Sequence, residues 1–116
     1  MSAPGDDYLG LCKILYGSGI YPSAQDERSK EGLKRLRSVA VRCITVHGSK
    51  GFAGFLQEYH YLVDLHTAHF LLEQKPMDRA LEAKCLDVIE LYARSPLNAV
   101  LAEQERNWLA RRRKSS

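Results

Sequence analysis

The sequence contains few cysteines and few prolines, and it has no long apolar run. It has three cysteines, four prolines and one tryptophan among 116 residues. Cys12, Cys43 and Cys85 are odd in number and each is more than thirty residues from the next, which fits neither a disulfide framework nor paired metal-binding knuckles. No run approaches the ~18 apolar residues of a membrane span, and Asp6 and Asp7 stand where a secretory signal carries basic residues. We therefore expect a soluble protein of a reducing compartment, the cytoplasm.

The composition is that of a folded domain. Hydrophobic residues make up 45% of the chain and charged residues 27%, which is enough apolar surface for one core. Apolar residues recur at helical spacing, and no pattern of strands and turns is evident. The sequence therefore predicts an all-α fold, a single-domain antiparallel bundle of about five helices over residues 1–110, followed by a basic flexible tail at residues 111–116.

Glycine, proline and capping residues mark the helix ends. Gly48 is predicted to end the second helix and Ser49 to cap the third. The third helix carries Phe52, Tyr59 and Phe70 on one side, and we expect it to form the spine of the core. The predicted helices run from about Asp7 to Tyr16, from a cap at Ser23 to about His47, from Ser49 to near Pro76, from about Met77 to Ala93, and from Ser95-Pro96 into the arginine-rich end.

Charge is segregated along the chain. Residues 27–50 carry seven basic and two acidic side chains, and residues 106–116 carry five basic and no acidic ones. Between them, residues 51–105 carry four basic and nine acidic side chains. Such blocks are typical of a phosphate-binding surface or of head-to-tail contact between copies of a chain. The residues predicted to contact phosphates or an acidic partner are Lys30, Lys34, Arg35, Arg37, Arg42, Arg111, Arg112, Arg113 and Lys114.

The functional expectation follows from these cations. No paired nucleophile and base stands out, and the chain has no glycine-rich phosphate loop, so we expect a non-enzymatic module without a cofactor. Its expected partner is a nucleic acid or an acidic protein, and Tyr21 and Trp108 would stack on the bases of a single strand. An alternative is a self-assembling or partner-binding subunit of a larger complex, held together by its opposed charges.

Residues 45–51 carry a motif shared with two families. The pattern Thr-Val-His-x-x-Lys-Gly resembles a motor segment of superfamily 1 DNA helicases, but this chain lacks the room for paired motor domains, so a complete helicase is excluded. The spacing His47-x-x-Lys50-Gly51 also resembles that of histidine phosphotransfer domains, which are four-helix bundles. That resemblance implies a phosphorelay in which His47 accepts a phosphoryl group and Lys50 neutralises its oxygens. The simpler interpretation is a junction between two helices, with His47 at the end of the first.

A third resemblance covers most of the chain at the level of pattern. The helix order, the step from Gly51 to Leu56 and the late Trp108-Leu109-x-Arg111 are similar to the small helical subunit of type III CRISPR effector complexes. This similarity implies a basic surface along a guide–target duplex and stacking between copies of the subunit.

Histidines near residue 66 form the remaining cluster. His66, His69 and Glu73 share one face of a helix and are candidate ligands for zinc or iron. Three ligands from one helix are rarely enough, and no second Glu-x-x-His segment completes a site between helices. We therefore predict no metal site, and we expect His66 to be a hydrogen-bonded histidine of the core.

Overall fold

A computed structural model describes residues 3–74 and 77–115, and this part of the chain folds into five α-helices without any strand. The radius of gyration is 13.5 Å, close to the ~13 Å of a compact domain of this length. The predicted all-α class is therefore confirmed. None of the helices in the described residues has both the length and the apolar character needed to cross a membrane. The helices are α1 (Pro4–Gly17), α2 (Glu27–Phe52), α3 (Val63–Leu72), α4 (Arg79–Ala93) and α5 (Ala99–Ser115).

The cap of α2 differs from the prediction. Its first turn is capped by Asp26, whose Oδ2 accepts a hydrogen bond from the Ser29 backbone N–H at 3.0 Å. Ser23, the predicted cap, lies in the linker before the helix and is buried. Aspartate and serine cap helices about equally well, and an ionised aspartate also interacts favourably with the positive end of the helix dipole. The predicted start at Ser23 is therefore wrong, and the side chain of Ser23 is available for a different contact.

The start of α5 is also later than predicted. Ser95 forms a local turn by accepting a hydrogen bond from the Leu97 N–H at 3.2 Å, and the helix is capped by Asn98, whose Oδ1 accepts from the Leu101 N–H at 3.0 Å. At its other end α5 continues to Ser115, beyond the predicted boundary at residue 110. Residues 111–115 therefore present their charges from a helix.

The predicted boundary at Gly48 is a kink within α2. Gly48 has φ 76° and ψ 167°, a backbone conformation that residues other than glycine essentially never adopt. Helical geometry resumes after it, but only as far as Phe52. The prediction of one long third helix is wrong, since two short 3-10 helices, Ala53–Gln57 and His60–Leu62, precede α3. Tyr61 and Leu62 are both left-handed there.

The core surrounds α3. All residues of α3 are buried, and the helix packs against α4, α1, α2 and the first 3-10 helix. On the α1 side the Tyr8 ring lies 5.0 Å from the Phe52 ring and 6.3 Å from the Phe70 ring. Its hydroxyl lies 3.0 Å from Thr67 Oγ1. A helix buried on every side has no solvent face for its polar residues, which must find partners inside the protein.

Candidate ligand-binding cavity between α2, α3 and α5

A buried polar network joins α3 to α5 and to the linker before α2. The Nε2 atom of His69 lies 2.7 Å from Glu105 Oε1 and 3.2 Å from Ser23 Oγ. Glu105 is 0% exposed, and Ser23 and His69 are also buried. A buried carboxylate needs a donor, so we assign the proton to Nε2, which donates to Glu105.

This network has the residue types of a hydrolytic triad but a different arrangement. In a triad the hydroxyl contacts one nitrogen of the imidazole and the carboxylate contacts the other, which leaves the first nitrogen free to accept a proton. Here the Ser23 and Glu105 oxygens contact the same nitrogen of His69. The Glu105 carboxylate is thus bonded to Nε2, the nitrogen that would have to accept the proton of the Ser23 hydroxyl. The network therefore has a structural role, which is to join α3, α5 and the linker before α2.

Sequence reasoning missed Ser23 and Glu105 as parts of this network. Glu105 follows Leu101 by four residues and precedes Leu109 by four, and both leucines are buried. A glutamate in phase with the apolar stripe of its own helix was therefore a usable signal for a buried carboxylate. Ser23 gave no comparable signal, because serine in a linker is an ordinary helix cap.

His66 is buried as predicted, but the predicted hydrogen bond is wrong. It is 1% exposed, and neither ring nitrogen has a hydrogen-bond partner within the described residues. The ring stacks on Phe70 with a centroid distance of 6.4 Å. Burial, with a smaller contribution from the neighbouring His69, lowers the pKa of His66 from 6.5 to about 3, so the ring is neutral at pH 7. Each unpartnered buried polar atom costs about 1–3 kcal/mol.

A cavity of about 700 Å³ lies beside these histidines. This volume is within the ~300–1,000 Å³ of ligand pockets, which combine apolar walls with a few polar groups. His66 and His69 border the cavity together with the apolar side chains of Leu33, Phe70 and Trp108. Its lining also includes the cationic residues Lys30, Lys34 and Arg37 of α2. The cavity therefore has polar, aromatic and basic parts.

The cations around the cavity differ in how far they are neutralised. Arg37 makes a bidentate pair with Glu73, with Nε–Oε1 at 3.0 Å and Nη2–Oε2 at 2.9 Å. Lys30 lies 3.8 Å from Glu27, and both side chains are more than half exposed, so this pair is weak. Lys34 has no ion pair among the described residues. Lys30 and Lys34 are thus the cations of the lining with most of their charge available.

Two further predicted cations are also in ion pairs. Arg42 Nη2 lies 3.0 Å from Asp7 Oδ2, which joins α2 to α1 away from the cavity. Arg112 Nη2 lies 3.4 Å from Glu82 Oε2, and its guanidinium lies 5.7 Å above the centre of the Trp108 ring. The remaining predicted cations are exposed and are Arg35, Arg111, Arg113 and Lys114.

Trp108 connects the two basic blocks. Its ring meets the His69 ring edge to face at 4.6 Å, borders the cavity and lies beneath Arg112. The lysines of α2 line the same cavity. Cations from both basic blocks are therefore brought to one region.

The His47 motif lies at the kink. The side chains of His47 and Lys50 are exposed. Gly48, between them, is not helical, so the two residues do not share one regular helical turn. A Cβ on Gly51 would lie only 2.8 Å from His47 Cβ, so this glycine packs closely beside the histidine.

The predicted metal ligands are held apart by their other contacts. Glu73 is paired with Arg37, whereas His69 is paired with Glu105. Across residues 3–74 and 77–115, no group of three or more His, Cys, Asp or Glu side chains is arranged to hold a metal ion.

Comparison of the chain with protein families, curated proteins and solved structures finds no match. The geometry of the cavity and its cations is therefore the basis for proposing a function.

Proposed function

We propose that this protein is a binding module for single-stranded nucleic acid, which it holds by its phosphates around the cavity between α2, α3 and α5. One observation carries the proposal. Lys30 and Lys34 line the same cavity as Trp108, and the guanidinium of Arg112 lies over the Trp108 ring. Cations beside an aromatic ring are the usual combination in proteins that bind single strands.

Single-stranded nucleic acid suits this surface better than an acidic protein does. Both ligands supply negative charge, but only the nucleic acid also supplies planar bases for an aromatic pocket. Trp108 is half-buried, which leaves part of its ring for contact. The hydroxyl oxygen of Tyr21, the other predicted stacking residue, accepts a hydrogen bond from Asn98 Nδ2 at 2.9 Å, and this bond helps to hold the linker against the start of α5.

Fluorescence anisotropy with a labelled mixed-sequence oligonucleotide of about twelve nucleotides tests the proposal. The association constant should fall steeply with salt, with a logarithmic slope of about −0.7 for each phosphate contact. The double variant Lys30→Gln/Lys34→Gln should lose about tenfold in affinity at low salt. Lys13→Gln/Lys84→Gln changes the net charge equally at exposed positions outside the cavity, and it should retain most of the affinity.

Equal losses in the two double variants would contradict the proposal, because the binding would then depend on net charge alone. Affinity that does not change between low and high salt would contradict it as well. Tighter binding of poly-glutamate than of the oligonucleotide would identify an acidic protein as the partner.

The thiols agree with a cytoplasmic location, which is part of the proposal. Cys12, Cys43 and Cys85 are free and buried. Burial raises the pKa of the Cys12 thiol to about 12 and that of Cys85 to about 11, so both remain protonated at neutral pH. Protonated, inaccessible thiols act as small apolar side chains.

A phosphorelay through His47 has one observation in its favour, the exposure of the ring. Against it, the kink at Gly48 removes the regular turn that would bring Lys50 beside the phosphoryl group. Incubation with acetyl phosphate separates the two functions. Labelling that is lost in His47→Gln but kept in His60→Gln, an equally exposed control, would establish the phosphorelay.

A further inference from the structure

We infer that the cavity between α2, α3 and α5 is a binding site for one nucleoside monophosphate unit, with its base against His66 and its phosphate at Lys30 and Lys34. The inference rests on the proposed function in taking phosphate as the anion. It goes further by assigning the base to a particular site, which a free nucleotide or one residue of a strand would fill.

Among the residues that line the cavity, His66 has buried polar atoms without a hydrogen-bond partner. Its imidazole borders the cavity, is 1% exposed and makes no hydrogen bond within the described residues. A neutral imidazole offers one N–H donor and one acceptor nitrogen. A ligand group that bonds to either nitrogen would supply a missing partner, and the edge of a nucleobase carries both acceptors and donors. His66 itself is neutral at pH 7, so it offers no opposite charge to offset the lost hydration of a charged ligand group.

The opposite end of the ligand is anionic. Lys30 and Lys34 are one turn apart on α2, line the cavity and are exposed. Arg37 lines it too, but its guanidinium is already paired with Glu73. Two available ammonium groups one turn apart suit a phosphate better than a single carboxylate, because each can contact a different oxygen.

The walls and the volume agree with such a ligand. Leu33, Phe70 and Trp108 supply apolar and aromatic surface in the lining of the same cavity. The volume of about 700 Å³ is within the range for small organic ligands. Ser23 and His69 also line the cavity but are already bonded within the Glu105 network. The site is therefore assigned to binding, and no reaction is assigned to it.

Titration of isotope-labelled protein by NMR tests the inference with the four ribonucleoside 5′-monophosphates. Inorganic phosphate and the free nucleosides are the matched probes for each half of the ligand. We expect at least one monophosphate to bind about tenfold or more tightly than phosphate or its own nucleoside. The indole N–H signal of Trp108 should shift on saturation, since its ring borders the cavity.

Substitutions separate the cavity from the surrounding surface. His66→Leu should reduce monophosphate affinity about tenfold while retaining or raising the melting temperature, because it removes two unpartnered polar atoms. Lys34→Gln should weaken binding several-fold. Lys84→Gln, at an exposed position on α4 outside the cavity lining, should leave it unchanged.

Three results would overturn the inference: monophosphates that bind no better than phosphate, a folded His66→Leu protein with unchanged affinity, or equal effects of Lys34→Gln and Lys84→Gln. If His66→Leu does not fold, the Trp108 signal and the lysine variants decide the question. Oligonucleotide binding without monophosphate binding would refute this inference alone. Monophosphate binding without oligonucleotide binding would refute the proposed function alone.

Discussion

At the scale of single residues, the neutral buried histidine makes stability depend on pH. The pKa of His66 is about 3 in the folded protein and near 6.5 in the unfolded chain. The unfolded state therefore binds the extra proton, and the stability present above pH 6.5 is lost as the pH falls toward 3. When the pH is lowered from 7 to 5, protonation of His66 in the unfolded chain should lower the free energy of unfolding by about 2 kcal/mol.

Urea unfolding at the two pH values measures this effect. His66→Leu should remove that part of the pH dependence, whereas His60→Leu should keep it because His60 is exposed. A pH dependence that is the same in His66→Leu and in the unsubstituted protein would show that His66 is accessible to protons in the folded state.

The buried Glu105 should contribute more to stability than any exposed carboxylate of α5. Glu105→Ala removes the hydrogen bond with His69 and opens space in the core, although His69 can stay neutral and keep its contact with Ser23. We expect the free energy of unfolding to fall by roughly 2–4 kcal/mol. Glu103→Ala, at an exposed position two residues earlier, should change it by less than about 0.5 kcal/mol in the same urea titration. Similar losses in both variants would mean that the network adds no stability.

At the scale of secondary-structure elements, two glycines should respond to alanine in opposite ways. Gly48 has φ 76° and ψ 167°, where alanine is strained, so Gly48→Ala should destabilise the protein by about 1–3 kcal/mol. Gly10 lies within α1, and a Cβ there would meet nothing within 4 Å. Gly10→Ala should therefore stabilise the protein by about 0.5–1 kcal/mol. Thermal unfolding of both variants checks the pair, and a loss of stability in neither would contradict the assigned kink.

Local chemistry in the sequence predicted some features of the helices but not their caps at Asp26 and Asn98. A break at Gly48 was predictable because glycine readily takes a positive φ, although α2 continues beyond it to Phe52, and the end of α4 at Ala93 matches its prediction. The segment before α3 was not predictable in this way. Tyr61 and Leu62 adopt left-handed conformations that such residues avoid. Packing of Phe52 and Phe55 around Tyr8, a contact between distant parts of the chain, holds this segment in place.

At the scale of the whole molecule, the sequence identified the basic blocks but not which of their charges remain available. Arg37 and Arg42 pair with Glu73 and Asp7, which lie about 35 residues away along the chain. Such pairs depend on how the helices are arranged, and counting charges along the sequence does not give this. The cavity was equally hidden, since its lining combines the linker before α2 with α2, α3 and α5.

These long-range ion pairs allow a comparison of two variants that change the net charge by the same amount. Glu73→Gln frees Arg37 at the cavity, and Asp7→Asn frees Arg42 on the α1 side. Each variant raises the net charge by one, so any effect of the overall field is the same in both. Each exposed pair contributes about 0–1 kcal/mol, so both variants should remain folded.

Glu73→Gln should therefore bind the oligonucleotide more tightly than Asp7→Asn does, and its logarithmic salt slope should steepen by about 0.7 because one more cation reaches a phosphate. Anisotropy titrations at several salt concentrations measure both quantities. A larger gain in Asp7→Asn would locate the nucleic acid along α1 and the adjacent end of α2. Equal gains would mean that the strand is attracted by the overall charge, and the cavity would then have no special part in holding it.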